Sequence, residues 1–361
     1  MSKMGDKKEL QQVTNCALCA NMCKYSCPTY LAAGNEAISP QKIARLIVYE
    51  DKGFIEDRQG FSDIMFQSCM CGACKRHCIY SDYDLRKYIE MGRSKAFKEG
   101  LLPDETKKRV ETFMRYGNPQ GERQLIQKGT GTVGYFVSCS AYKDDALLKA
   151  MDRILSASKE KVQQFGGADI CCGAPLYYAG DTKGFKKVAR KLKGEIEARG
   201  LKKVITMCPN CLKMMRELYP QIGVKLNVEL AHTSEYLAFL LDEKKIKVKK
   251  VKGTATYHDP CILANDMDIT APPRRILTAL GYKIKEPVYT KEHAHCCGAP
   301  PGARLGFSKL ADQVKSMRLS ELRETAADVY VSACPSCKAV LSDLAVKDIA
   351  ELISGQVIHG K

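Results

Sequence analysis

One string of five residues, Cys-Cys-Gly-Ala-Pro, stands at Cys171–Pro175 and again at Cys296–Pro300. Each copy has a single cysteine upstream and a Cys-Pro-x-Cys downstream. These are Cys139, Cys208 and Cys211 in the first unit, and Cys261, Cys334 and Cys337 in the second. In the first unit 31 residues lead to Cys-Cys-Gly and 34 follow it; in the second the gaps are 34 and 35. An internal repeat of about 125 residues therefore organises everything after about residue 130: one five-cysteine unit is built twice. Thiolate is a soft ligand that selects iron–sulfur clusters, zinc or copper(I). Structural zinc takes four ligands, typically as two pairs, so five cysteines do not suit it. Adjacent side chains such as Cys171 and Cys172 splay apart unless both reach a target wider than one atom, and a multi-iron cluster is such a target. The plain alternative, buried structural thiols or vicinal disulfides, gives no reason for the same doublet to recur at matching spacing.

The other eight cysteines lie near the N-terminus in two runs. The first, Cys16, Cys19, Cys23 and Cys27, ends in Cys-Pro, the bacterial ferredoxin kind of run; the second is Cys69, Cys71, Cys74 and Cys78. Two runs of four suggest two cubane [4Fe–4S] clusters. In two-cluster ferredoxins the last cysteine of each run ligates the other cluster. On that logic one cluster takes Cys16, Cys19, Cys23 and Cys78, and the other takes Cys69, Cys71, Cys74 and Cys27. The alternative is a pair of zinc sites. Neither run is regular: three residues separate Cys19 from Cys23 where two are usual, and Ile79 stands where Pro would follow the second run. All eighteen cysteines are then assigned as four, four, five and five, leaving none for a nucleophile or a disulfide.

Length and charge narrow the setting. The 361 residues suffice for two or three domains. No apolar run approaches the roughly 18 residues of a membrane span. The polar stretch Met1–Leu10 has no apolar core of a secretory signal. A reducing, cytoplasmic compartment is expected, in which cysteines serve as metal ligands rather than disulfides. The formal charge is +16, from 57 basic and 41 acidic residues. Four clusters at about −2 each would remove about half of it. The remaining lysines read as a solvated face or as a docking surface for an acidic redox partner or anionic lipid. Trp is absent and no aromatic–basic platform appears, so nucleic acid is not expected.

The expected fold is α+β and multidomain. Residues 1–116 read as a helical domain carrying both ferredoxin-like runs, with a frayed lead-in over 1–13. Helices are expected over Pro40–Tyr49 (N-cap Ser39), Leu85–Lys98 and Asp104–Tyr116. The Gly- and Pro-rich 117–131 reads as a linker. Two pseudo-symmetric α/β units follow, over 132–250 and 251–361. Buried strands at Val133–Ser138, Val204–Met207, Thr254–His258 and Val329–Ser332 each run into a cysteine, as expected for ligands at the carboxyl ends of strands. Apolar stripes mark the helices between: Phe185, Val188, Ala189, Leu192 and Ile196, then Phe307, Leu310, Ala311, Val314 and Met317. The glycine after each doublet is expected to let backbone approach a cluster, and Pro209 and Pro335 to open helices. His258, three residues before Cys261, is a candidate to donate a proton or to hydrogen-bond a cluster sulfur; the plain reading is a structural histidine. His232 opens a helix over Thr233–Leu241, and His293 and His295 flank the second doublet; none is given a role. There is no nucleotide-binding glycine fingerprint, so a flavin or nicotinamide is expected only on another subunit.

At these residues the chain resembles the CCG-domain iron–sulfur oxidoreductases, above all the D-type subunits of heterodisulfide reductases. The resemblance runs from Cys16 to Cys337 and includes Cys27-Pro28-Thr29-Tyr30 and Gly92-Arg93. It implies one noncubane [4Fe–4S] cluster per CCG unit. Cys139, Cys171, Cys172, Cys208 and Cys211 would hold one, and Cys261, Cys296, Cys297, Cys334 and Cys337 the other. The two would face a cavity where a mixed disulfide of coenzyme M and coenzyme B is cleaved, fed by the cubanes. It implies a redox partner subunit, either a membrane cytochrome b or a flavoprotein, and a location at the inner face of the membrane through that partner. The family also contains electron-transfer subunits of flavin-linked 2-hydroxyacid and glycerol-3-phosphate dehydrogenases, which pass electrons to a quinone or other acceptor. Many of those have one degenerate unit, whereas both units are intact here.

Overall fold

The structure, a computed structural model, describes residues 7–80 and 82–359. Its N-terminal part is helical because apolar residues recur there at helical spacing between good stop signals. The principal helices are Lys7–Ala17, Pro40–Asp51, Arg58–Phe66, Leu85–Glu99 and Asp104–Tyr116. Val13, Ile43, Ile47, Met65 and Ile89 bury their shared faces. Gly100 and Gly117 end two of these helices in the left-handed conformation that a Cβ would disfavour. The expected frayed lead-in is corrected over its described part: from Lys7 on it is the first turns of a helix that buries Val13 and Ala17. Ser39 stands at the N-cap of Pro40–Asp51, but its hydroxyl accepts from Asn21 Nδ2 at 3.1 Å instead of capping.

The first repeat unit forms a five-stranded sheet from β1 (Leu125–Lys128), β2 (Val133–Val137), β3 (Val162–Gly167), β4 (Lys203–Thr206) and β5 (Glu229–His232), in the order β1-β3-β2-β4-β5. All neighbours are parallel except β1 and β3. The stretch read as a linker thus supplies an edge strand, too short and too polar to show an alternating pattern. After β6 (Ile246–Val248), the second unit repeats the plan with β7 (Thr254–His258), β8 (Lys283–Ile284), β9 (Val329–Ser332) and β10 (Lys347–Asp348). These form an all-parallel sheet in the order β10-β9-β7-β8. A last strand, β11 (Val357–His359), returns to pair antiparallel with β6.

The two units correspond residue by residue at their centres. Phe136 of β2 lies opposite Thr206, two residues before Cys208, and His258 of β7 lies opposite Ser332, two residues before Cys334. They also face each other with two-fold logic. Asp144, five residues after Cys139, pairs with Lys338 beside Cys337 at 2.6 Å; Asp266, five after Cys261, pairs with Lys213 just past Cys211 at 3.0 Å. Each unit's aspartate therefore reaches the other unit's lysine, the reciprocity of a two-fold interface within one chain. One apolar cluster joins both units, with Tyr135, Met151 and Leu147 of the first beside Tyr257, Ile276 and Ile353 of the second. Other clusters tie the helical part to the first unit through Phe136 and Cys172, and to the second through Ile38, Cys296 and Val314.

His232 has a structural place. Its Nδ1 accepts from the Ser234 N–H, so Nε2 donates to the Met207 carbonyl at 3.1 Å, and it N-caps the helix Thr233–Asp242. Burial pushes it from 6.5 down to about 4. A base held neutral by the fold adds stability that is complete above the unfolded value and is lost as pH falls from 6.5 towards 4. The loss is on the order of 3 kcal/mol. Urea unfolding of wild type and H232N at pH 7 and pH 5 checks this. The wild type is expected to lose more than the variant, and parallel losses would reject the account.

Candidate metal centres

The fold gathers the eight N-terminal cysteines into two groups. Cys16 and Cys19 come from the end of the first helix, and Cys23 from a short 3-10 turn, Met22–Ser26. Cys23 faces Cys16, Cys27, Cys78 and Cys19. Cys78 of the second run therefore joins Cys16, Cys19 and Cys23 of the first. A separate cavity is lined by Cys27, Cys69, Cys71 and Cys74, with Arg86 at its wall. Cys27 of the first run thus sits with three cysteines of the second. Cys74 faces Cys23 and so marks where the two groups meet. Burial, reinforced by neighbouring thiolates, pushes Cys16 up to about 11 and Cys23 up to about 12. A thiolate at such a position needs a positive counter-charge, which an iron core supplies.

In each repeat unit the cysteines follow strand ends. Cys139 comes after β2, the doublet Cys171-Cys172 after β3, and Cys208 after β4, where Pro209 opens a helix as expected. Cys261 and Cys334 repeat this after β7 and β9, with Pro335 at the first helical position, whereas Cys296-Cys297 follows β8 by way of a 3-10 turn, Lys291–His293. Cys172 Sγ lies 3.3 Å from Cys211 Sγ, and Cys297 Sγ lies 3.2 Å from Cys337 Sγ. Cys139 hydrogen-bonds Cys171, and Cys261 hydrogen-bonds Cys296. The Cys211 thiol, with backbone N–H groups and the Ser140 hydroxyl, brings Cys208 down to about 7. All eighteen thiols are free although several sulfurs are in near contact. Crowded, buried, unpaired thiols, five to a site, fit a multi-iron group better than a disulfide or a single ion.

The doublet glycines stand where a side chain has no room. The face of Gly298 that a Cβ would occupy looks at Ala311 O, 2.3 Å away, and that of Gly173 at the Phe185 ring, 2.9 Å away. Close approach to a helix excludes a side chain at each glycine. The glycine N–H groups instead donate to the first doublet sulfurs, Cys171 at 3.4 Å and Cys296 at 3.3 Å.

The groups are contiguous. Cys69 lines both the N-terminal cavity and a second one that holds Cys261, Cys296, Cys297, Cys334 and Cys337, and its thiol hydrogen-bonds Cys296. Pro209, Asn210 and Tyr178 of the first unit close that second cavity. At the far end, the group containing Cys16 and Cys78 is rimmed by the exposed side chains Leu18, Met22, Tyr25, Ile79 and Tyr80.

A cysteine-rich domain model, CCG, matches residues 133–216 and 255–342, the two repeat units. The D-type subunit of the dihydromethanophenazine:CoB–CoM heterodisulfide reductase of Methanosarcina barkeri is 30% identical, over 96% of this chain and 94% of that one. The chain belongs to this CCG family. Similarity extends to the B-type subunit of the fumarate reductase (CoM/CoB) of Methanothermobacter marburgensis, 25% identical over 97% of this chain and 74% of that one. It also extends to an EtfAB:quinone oxidoreductase of Syntrophomonas wolfei, 26% identical over 78% of this chain and 43% of that one. The CCG chain is an iron–sulfur oxidoreductase component related to the D-type subunits of heterodisulfide reductases. Among its described residues no helix is long and apolar enough to cross a membrane.

Several further residues surround the centres of the CCG chain. His258, read from the sequence as a candidate, is buried against Cys297 and Cys337. Its partner Arg318 is fully buried and takes the place in the apolar stripe that periodicity gives to Met317. Arg86, Lys213 and Asp266 meet near the junction of all three parts from positions far apart in the chain. His295 hydrogen-bonds Glu321 at 2.6 Å and stacks on Tyr289, and His293 lies beside His77 on the surface.

Proposed function

We propose that the chain is the catalytic subunit of a heterodisulfide (CoM-S-S-CoB type) reductase. Two cubane clusters would be held by the N-terminal cysteines and one noncubane cluster by each five-cysteine unit. Such clusters supply one-electron steps, and cleaving a disulfide to two thiols consumes two electrons and two protons. The observation that carries the reading is the cavity at which the five intact cysteines of the second unit meet Pro209, Asn210 and Tyr178 of the first, beside Cys69. The continuity of cysteine groups from the exposed rim to that cavity supports a relay into it. The helical domain over 1–116 and the two units over 132–250 and 251–361 divide the labour: relay in the first, chemistry between the other two. Electrons would enter from a redox partner, either a cytochrome b or a flavoprotein, docked at the inner face of the membrane.

A second reading, electron relay between a flavoprotein and a quinone or other acceptor, is favoured by the similarity to the EtfAB:quinone oxidoreductase. The deciding experiment is anaerobic reduction of the coenzyme M–coenzyme B heterodisulfide by a reduced low-potential dye. The protein should first be shown to carry about sixteen irons per chain, four per cluster. Turnover is the expected result. Absence of turnover with the iron complete would move the assignment to the relay reading.

A further inference from the structure

The two five-cysteine units match ligand for ligand, yet their surroundings differ at one decisive place. Strand register makes Phe136 and His258 equivalent, opposite Thr206 and Ser332. Phe136 is fully buried in the cluster that contains Cys171, Cys172, Cys208 and Cys211, and packs on Phe165 with ring centroids 5.2 Å apart. The first unit therefore offers its sulfurs an apolar ring at this position. In the second unit a ring nitrogen of His258 and the sulfurs of Cys297 and Cys337 all lie within 4.8 Å of one another.

The proton on that imidazole is placed by its other contact. Arg318 Nε donates to His258 Nδ1 at 3.1 Å, and a guanidinium can only donate. Nδ1 is therefore the acceptor and Nε2 carries the hydrogen. Nε2 is buried and has no hydrogen-bond partner among the described residues. Arg318 is held in turn by the Glu321 carboxylate at 2.7 Å and the Tyr289 carbonyl at 2.9 Å. No such support exists in the first unit, where the buried positions of the corresponding helix are Phe185, Ala189, Leu192 and Ile196.

We propose that His258 Nε2–H, fixed in its tautomer by Arg318, donates a hydrogen bond to sulfur at the second CCG site and makes that site the more readily reduced of the two. A hydrogen bond to a sulfur ligand or sulfide stabilises the added negative charge of the reduced state and raises the potential. The second site also lies beside Cys69, so the site nearest the relay is the one built to take the electron first. The inference rests on the reading that each unit holds a cluster, and not on which disulfide is the substrate. His258 and Arg318 are positioning residues in it.

The test is an EPR-monitored redox titration of the complete anaerobic protein with full iron content. Wild type is expected to show two distinct midpoints for the CCG sites. In H258F the higher one should shift to more negative potential while the other CCG midpoint and those of the cubanes stay in place. H258Q, which keeps an N–H donor, should shift less. F136H, made in the first unit, should raise the lower midpoint and serves as the independent variant should H258F not fold. Unchanged midpoints in H258F and F136H, with iron complete, would overturn the proposal. About eight irons per chain and no signal beyond the cubanes would instead overturn the reading that the units hold clusters, and the proposal with it.

Discussion

Replacing Asp266 by alanine is expected to cost about 3–5 kcal/mol of stability, the largest effect of any single change outside the cysteines. The carboxylate is only 3% exposed, and it binds Arg86 Nη1 at 2.6 Å through one oxygen and Lys213 Nζ at 3.0 Å through the other. Arg86 belongs to the helical part, Lys213 to the first unit and Asp266 to the second. Removing the anion leaves two buried cations, with Asp84, on Arg86 at 2.6 Å, as the nearby compensation. Around it Asn265 donates to the Cys71 carbonyl at 2.8 Å, and Arg76 to the carbonyls of Ala264 and Asn265. Because the parts share apolar clusters, the loss should appear in the main unfolding transition of the anaerobic protein in urea. Asp242→Asn, which removes an exposed partner of Arg275, is the control and should change little. A loss below about 1 kcal/mol for D266A would show that the junction does not depend on this ion.

The second large effect concerns activity. C172S and, separately, C297S are each expected to remove the cluster of the altered unit. About four irons should be lost per chain and heterodisulfide turnover should fall by more than about 100-fold, beyond what changes behind the ligands produce. Cys172 and Cys297 are the doublet cysteines whose sulfurs touch Cys211 and Cys337. The cubane signals should persist in both variants, because the N-terminal cysteines come from a different part of the chain. Iron analysis with EPR separates the outcomes. Loss of every signal together would show that the groups do not load independently. Retained turnover in either variant would show that one unit suffices.

Much of this arrangement is readable before any coordinates, and the reason is chemical. Cysteine is rare, its spacing recurs, and a ligand set cannot drift. The partner exchange of Cys27 and Cys78 follows from ferredoxin logic, and the fold brings those side chains to the expected neighbours. The four central strands are buried runs, and each ends within one residue of its expected limit. What the sequence hides is polar and long-range. Nothing near Asp266 says that its partners lie at positions 86 and 213. Arg318 looks like a solvated residue on an amphipathic helix until Glu321, Tyr289 and His258 are seen to hold it. Edge strand β1 is four residues long and mostly exposed, so it carries no burial pattern to detect. That the doublet glycines press on Phe185 and Ala311 is equally hidden, since local sequence does not say which surface a missing Cβ will face.

The burial of the cysteines also sets an order of maturation. Ten of the eighteen are buried: all but the first cysteine of each CCG unit, together with Cys69 and Cys71. Met70 lies where all three parts meet, and Gly72 is pressed between Arg86 of the helical part and Asn265 of the second unit, with no room for a side chain. A cluster cannot be threaded into such a place once the parts have docked. If the inner cysteines hold clusters as proposed, those clusters would have to be delivered while the three parts are apart, and the Asp266 junction would close over them. The outer group at Cys16, Cys19, Cys23 and Cys78 remains partly open and can be filled, or repaired, last.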